Sequence, residues 1–299
     1  MNHILSKMTD AKRSNFAAGL VLIMCLAISI STGCKNDDEP PIPVGDISEE
    51  IKSLIYFKGD ERASKVLINA QGGPDTSIST DEVDLIDNYF DTDDLLLVNV
   101  HQAQTLDSNI VTSNDITLEQ AVNFNAASIN TLAQVIDYFK QQGRTVYVLG
   151  ASFGAFVTQE LIAQKGIDVA DKYLIMIGRL DINDVMWQGL VEGKYGYFDN
   201  GITPIVNPTP AEGLTDRNLG RIAAGLGMNN YTQRLSSIED LSDLTYVYGA
   251  TDQFVGSLTT EEVRFLESRN ANIIRGSGGH DDTFLDFIGQ GLFEAFGIR

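Results

Sequence analysis

Cysteine is almost absent from this chain: Cys25 and Cys34 are the only two in 299 residues, and both lie near the N-terminus. From Lys35 onward there is no thiol to act as a nucleophile, form a disulfide or hold a Cys-based zinc. Histidine is nearly as scarce. His3, His101 and His280 are the whole set, which argues against an imidazole-held catalytic metal and leaves little choice for a base. Positive charge is also short, with 21 Lys and Arg against 41 Asp and Glu and a net charge of −20. Such a surface gains nothing from counterion release on nucleic acid and is repelled by an anionic bilayer, so neither is expected as a partner. Long apolar runs are missing except for residues 16–30, a stretch too short to span a bilayer comfortably.

Hydrophobic residues make up 43% of the chain, enough to give an α/β domain of roughly 250 residues a substantial core. Runs of β-type residues at 54–57, 66–69, 95–100, 146–149, 173–177, 246–248 and 273–274 alternate with helical stretches. That alternation predicts a mostly parallel central sheet flanked by helices. Thr117-Leu-Glu-Gln120 has capping-box spacing and opens a predicted helix that runs to about residue 142, where Gly143 stops it. Ser79-x-x-Glu82 and Thr259-x-x-Glu262 mark two further helix starts, and residues 282–296 read as an amphipathic helix. Residues 179–240 are far longer than a usual α/β connection and carry Trp187, Tyr195, Tyr197, Phe198 and Tyr231. They read either as a surface excursion or as a cap that shapes an aromatic pocket, in which case Trp187 and Tyr195 are candidate substrate contacts.

The strongest chemical signal is Thr145-Val-Tyr-Val-Leu-Gly150-Ala-Ser152-Phe-Gly154, a β-type run that ends in G-x-S-x-G and continues into helix formers. So sharp a strand-to-helix turn holds the serine in strained geometry with its hydroxyl projecting, and the two glycines leave room for neighbours. The amide of Phe153, at the start of the helix, favours negative charge developing on a bound carbonyl. A hydroxyl needs a base, and the base needs an orienting acid. His280, in the glycine-rich segment Gly276-Ser-Gly-Gly279-His280, is the preferred base; His101 is the alternative but precedes the serine in the chain. Asp252 follows a strand that ends in Gly249 and is the natural acid, with Asp181 and Asp184 as rivals. Asp281 and Asp282 read more simply as helix-capping residues. In Ala70-Gln71-Gly72-Gly73-Pro74 the paired glycines allow backbone N–H groups to turn toward a ligand, so Gly72 or Gly73 supplies a second oxyanion donor unless the segment is an ordinary β-turn.

In chain order, Gln71-Gly-Gly-Pro74, Gly150-Ala-Ser152-Phe-Gly154, Asp252 and His280 resemble the α/β-hydrolase family across roughly residues 50–299. The resemblance implies about eight strands, a cap inserted after the sixth, no cofactor, and a Ser152, His280 and Asp252 triad working through an acyl-enzyme. Gln71 stands where several hydrolases carry the histidine of a His-Gly-Gly-Pro loop, and it joins His101 as a candidate substrate contact. The expected substrate is a carboxylic ester. A proline-directed or aminoacyl peptidase, which needs an acidic anchor such as Glu192 or Asp199, is the alternative within enzymes. A surface binding module without turnover is the alternative from another class.

The N-terminus resembles an address. Lys7, Lys12 and Arg13 precede the apolar run, which ends at Ser31-Thr-Gly33-Cys34, similar to a bacterial lipobox with serine where leucine is commoner. The resemblance implies a signal peptide at residues 1–33, lipid on Cys34, an acidic proline-rich tether at 34–49 and the hydrolase domain at 50–299. Lys35 followed by Asp37, Asp38 and Glu39 resembles the surface-export signal of some Gram-negative lipoproteins. The expected location is the cell envelope, at the outer membrane, with membrane contact through the lipid alone; the other reading is a secretory peptide cut elsewhere.

Overall fold

The structure is a computed structural model that describes residues 45–299. The signal peptide, Cys34 and most of the tether fall outside the described residues.

Nine strands form, at β1 (Ile55–Gly59), β2 (Lys65–Ala70), β3 (Leu95–Val100), β4 (Thr145–Ala151), β5 (Lys172–Met176), β6 (Gly196–Asp199), β7 (Thr203–Val206), β8 (Leu244–Gly249) and β9 (Asn272–Gly276). Seven make one sheet in the order β1-β3-β2-β4-β5-β8-β9. Only β1 runs antiparallel to its neighbour. The longer helices are α1 (Asp81–Tyr89), α2 (Leu118–Gln141), α3 (Phe153–Lys165), α4 (Asp184–Val191), α5 (Leu214–Gly227), α6 (Thr260–Ser268) and α7 (His280–Phe296).

A parallel sheet covered on both faces needs apolar side chains in both directions, and the strands supply them. All six residues of β3, Leu-Leu-Leu-Val-Asn-Val, are buried. Along β4, Val146 and Val148 join the core that contains Ile129, Leu132, Ile136 and Phe139 of α2 and Leu161 and Ile162 of α3. Tyr147 points the other way and stacks on Phe296 of α7, ring centroids 4.8 Å apart. Gly291 lets α7 settle on the sheet: a Cβ there would stand 3.0 Å from Leu174 Cδ1 and 3.6 Å from Val247 Cγ2.

Two of the three capping boxes form. Thr117 Oγ1 accepts the Gln120 N–H while Gln120 Oε1 accepts the Thr117 N–H, and Thr259 with Glu262 does the same at α6. The third does not: α1 starts from Thr80 without a side-chain cap bond, and Ser79 Oγ instead accepts the Asp81 N–H. The final helix starts at His280, a little earlier than the apolar pattern indicated.

The long insertion is a folded unit between β5 and β8, built from α4, the antiparallel β6–β7 hairpin and α5. In this sheet it follows the fifth strand, because the sheet has seven strands among the described residues where the family resemblance implied about eight. α5 is fastened to the body by buried polar groups. Asn218 Nδ2 donates to Val111 O (2.9 Å) and Asn114 O (2.8 Å), Asn218 Oδ1 accepts the Ile116 N–H, and Asn125 Nδ2 of α2 donates to Ile222 O. Outside them, Asp115 pairs with Arg217 and Arg221. Among the described residues no helix is long and apolar enough to cross a membrane.

Candidate active site

At the centre of the sheet β4 ends at Ala151 and α3 begins at Phe153, so Ser152 alone makes the turn, with φ 54° and ψ −118°. A positive φ costs a non-glycine residue roughly 1–3 kcal/mol and persists only where its surroundings fix it. They do so here. The Ser152 N–H donates to Met176 O at 3.0 Å, and Ser152 O accepts the Ala155 N–H at 3.0 Å. A Cβ on Gly154 would overlap the Ala70 carbonyl, and one on Gly150 would overlap Thr158 Oγ1 and Gly154 O, so the flanking glycines are demanded by packing.

Two more strand ends deliver the partners. Gly249 and Gly276 close β8 and β9, and a Cβ on either would stand 2.7 Å or 2.8 Å from Thr283 Oγ1. Their loops are laced together by Ala250 N–H to Gly276 O (2.9 Å) and Thr251 N–H to Gly278 O (3.1 Å). His280 thereby stands between the other two groups: Nδ1 lies 2.6 Å from Asp252 Oδ2 and Nε2 lies 3.0 Å from Ser152 Oγ. Asp252 is 1% exposed and His280 6%. The second carboxylate oxygen of Asp252 accepts the N–H groups of Phe254 (2.9 Å) and Val255 (3.0 Å), which fixes the rotation that aims Oδ2 at the imidazole.

On the other side of Ser152 lies the Gly72–Gly73 loop. The position a Cβ of Gly72 would take is 3.6 Å from Ser152 Cβ and 3.4 Å from Ala151 O. Gly73 has φ 117°, a conformation L side chains rarely adopt. Phe153, as the first residue of α3, has an N–H with no acceptor inside its own helix. The three candidate oxyanion residues therefore flank the serine.

The four candidate substrate contacts are placed elsewhere. Gln71 is buried, with Nε2 donating to Ser77 O (3.2 Å) and Oε1 accepting the Ser79 N–H (2.9 Å) and Asn99 Nδ2 (3.4 Å). Its amide is consumed in tying the chain from 71 to 79 to β3, which corrects the expectation that it meets substrate. His101 is half-buried with Nδ1 3.0 Å from Thr105 Oγ1, and burial holds its pKa below the ordinary imidazole value. It is not the partner of Ser152. The Trp187 indole N–H donates to Asp184 Oδ1 within α4, and Tyr195 is exposed. The rival acids are engaged too, Asp184 by Trp187 and Asp181 by the Thr232 N–H and hydroxyl. The aromatic ring beside the imidazole is Phe254, 56% exposed and edge-on to His280 with centroids 5.1 Å apart. It comes from the acid loop and not from the insertion; its place two residues after Asp252 was the only signal available.

Glu82 was also missed, because the sequence assigned it to a helix cap. Its Oε1 lies 3.6 Å from the same Gly72 position that Ser152 approaches, and its Oε2 is buried without a hydrogen-bond partner. Burial pushes its pKa above the ordinary carboxylate value, with Asp81 adding to the shift and the backbone amides of Glu82 and Gly72 opposing it.

No protein-family model matches the sequence, and no curated protein matches it. Solved structures do. An α/β hydrolase enzyme from a Medee basin deep-sea metagenome library superposes with a TM-score of 0.53 at 12% identity, over 81% of this chain and 94% of that one. An esterase from Exiguobacterium antarcticum gives 0.49 at 13% identity, over 79% and 91%. A bromoperoxidase from Bacillus anthracis gives 0.47 at 12% identity, over 81% and 95%. At such identities the likeness is one of fold, and the first of the three carries it.

Proposed function

We propose that this chain, which has the α/β-hydrolase fold, is a serine hydrolase that cleaves a carboxylic ester through an acyl-enzyme. Ser152 Oγ attacks the ester carbonyl while its proton passes to His280 Nε2, and Asp252 stabilises the imidazolium through Nδ1. The N–H of Phe153 and one from Gly72 or Gly73 receive the oxyanion. Collapse of the tetrahedral intermediate returns the proton from His280 to the departing alcohol. Water then repeats the sequence on the acyl-enzyme and releases the acid. The observation that carries this reading is the unbroken row from Asp252 Oδ2 through His280 to Ser152 Oγ, at 2.6 Å and 3.0 Å.

The peptidase reading draws no support from its acidic anchors. Glu192 is paired with Lys194 at the surface, and Asp199 accepts from the Asn200 side chain. We further propose, from the Ser31-Thr-Gly33-Cys34 signature, that the hydrolase is exported and held at the cell envelope by lipid on Cys34. The test of the main reading is a fluorophosphonate probe. The wild type is expected to label stoichiometrically and Ser152→Ala not at all, with hydrolysis of short and long acyl esters defining the acyl preference. A folded wild type that neither labels nor turns over any ester sinks it in favour of a binding module.

A further inference from the structure

Glu82 is the one buried carboxyl beside the elbow that the proposed reaction does not use. A glutamate three residues after a serine ordinarily folds back to cap its own helix. This one turns instead toward the backbone of Gly72, which at the same point is pressed against Ser152 and the Ala151 carbonyl. Both Glu82 Oε1 and Ser152 Cβ lie 3.6 Å from the position a Gly72 Cβ would occupy, so they are within about 7 Å of each other, a separation at which a unit charge is felt through a poorly hydrated medium. The other oxygen, Oε2, has no partner and no solvent. A carboxylate so placed is short of compensation, while a carboxylic acid is not.

The charged groups around it do not repair this. Asp81 on the same turn has the same sign, and Lys58 of β1 is already engaged by Asp84 and Asp87 of α1. Asp75 follows the Gly73-Pro74 turn with its own carboxylate accepting the Thr76 N–H. Across the serine stand His280 and Asp252, which are bonded to each other.

We propose that Glu82 is a positioning residue for the oxyanion loop whose protonated form is the working one: neutral, it fills the space under Gly72 without charge, and ionised, it sets a negative charge beside the site where the oxyanion must form. This rests on the serine-hydrolase reading. Ester hydrolysis by the wild type is then limited on two sides. It rises as His280 loses its proton and falls again, about tenfold, as Glu82 loses its own.

The same proton is linked to stability. The folded-state pKa is raised above the ordinary value of 4.5, so the contribution of Glu82 is fully present below that value and is lost as pH rises through the folded pKa. Two measurements on the wild type and Glu82→Gln test the proposal. The variant is expected to lose the alkaline fall in kcat/KM, and its unfolding temperature is expected to gain on the wild type from pH 4 toward neutrality. Should Glu82→Gln not fold, Glu82→Ala removes the same titrating group and carries the same two expectations. Superimposable pH–rate profiles in two active proteins overturn the role of Glu82, as do melting curves that shift together with pH. A wild type inert to ester and fluorophosphonate at every pH overturns the hydrolase reading and this role with it, while the melting comparison still reports whether Glu82 titrates.

Discussion

Asp252 spends one oxygen on two backbone amides and the other on His280, so its job in the row is split between holding still and holding charge. Asp252→Asn keeps the size and the amide contacts but puts the wrong tautomer on the imidazole. The expected result is a fall in kcat for ester hydrolysis of about 10³–10⁴ with KM little changed and the fold intact by circular dichroism; a variant within tenfold of wild type would show that Asp252 does not orient the base. The members of this row were legible in the sequence because each sits at a strand end marked by glycine: Gly150 before Ser152, Gly249 before Asp252, Gly276 before His280. Gln71 and Glu82 were misread for a common reason. Their partners are remote in sequence or lie across a turn, Asn99 for the first and Gly72 for the second, and neither spacing nor polarity reveals which way a flexible amide or carboxyl will turn.

Among the elements, those with local causes followed the sequence closely. The helix opened by Thr117 and ended near Gly143 is set by its own cap and apolar stripe, and it forms as Leu118–Gln141. The insertion is a different matter, since its length was visible but its attachment was not. What fastens α5 is buried Asn218, reaching Val111, Asn114 and Ile116 about a hundred residues earlier, with Asp115 outside it facing Arg217 and Arg221. The hydrogen bonds and charges of those two arginines hold the Asp115 carboxyl below its ordinary value of 3.8. A depressed acid stabilises above its unfolded pKa and loses that contribution as pH falls through the folded one. Wild type should therefore melt above Asp115→Asn at neutral pH, and the gap should close below pH 3.8; a gap that is unchanged in acid would mean that the charge plays no part in the attachment.

For the molecule as a whole, the alternation of strand and helix in the sequence was enough for a mostly parallel sheet with helices on both sides. The count of strands was not, because an edge strand such as β1 is short and half-exposed and its pairing partner β3 is not its neighbour in sequence. The scarcity of positive charge also acts at this scale: with a net charge of −20 the folded body has no electrostatic attraction to an anionic membrane. Lipid on Cys34 is then the only expected hold. Cys34→Ser should move the protein from the membrane fraction to the soluble one, and a mutant that stays with the membrane would dismiss Cys34 as the anchor. One feature of the insertion reaches further. The β6–β7 hairpin is strapped to the loop bearing Asp252 at two points, Phe198 N–H to Gln253 O at 2.8 Å and Ser257 N–H to Gly201 O at 2.7 Å. The doorway and the proton wire thus share a hinge, and a guest bulky enough to pry the hairpin outward would drag the carboxylate off its imidazole. Molecular girth should accordingly be penalised in turnover itself and not only in capture.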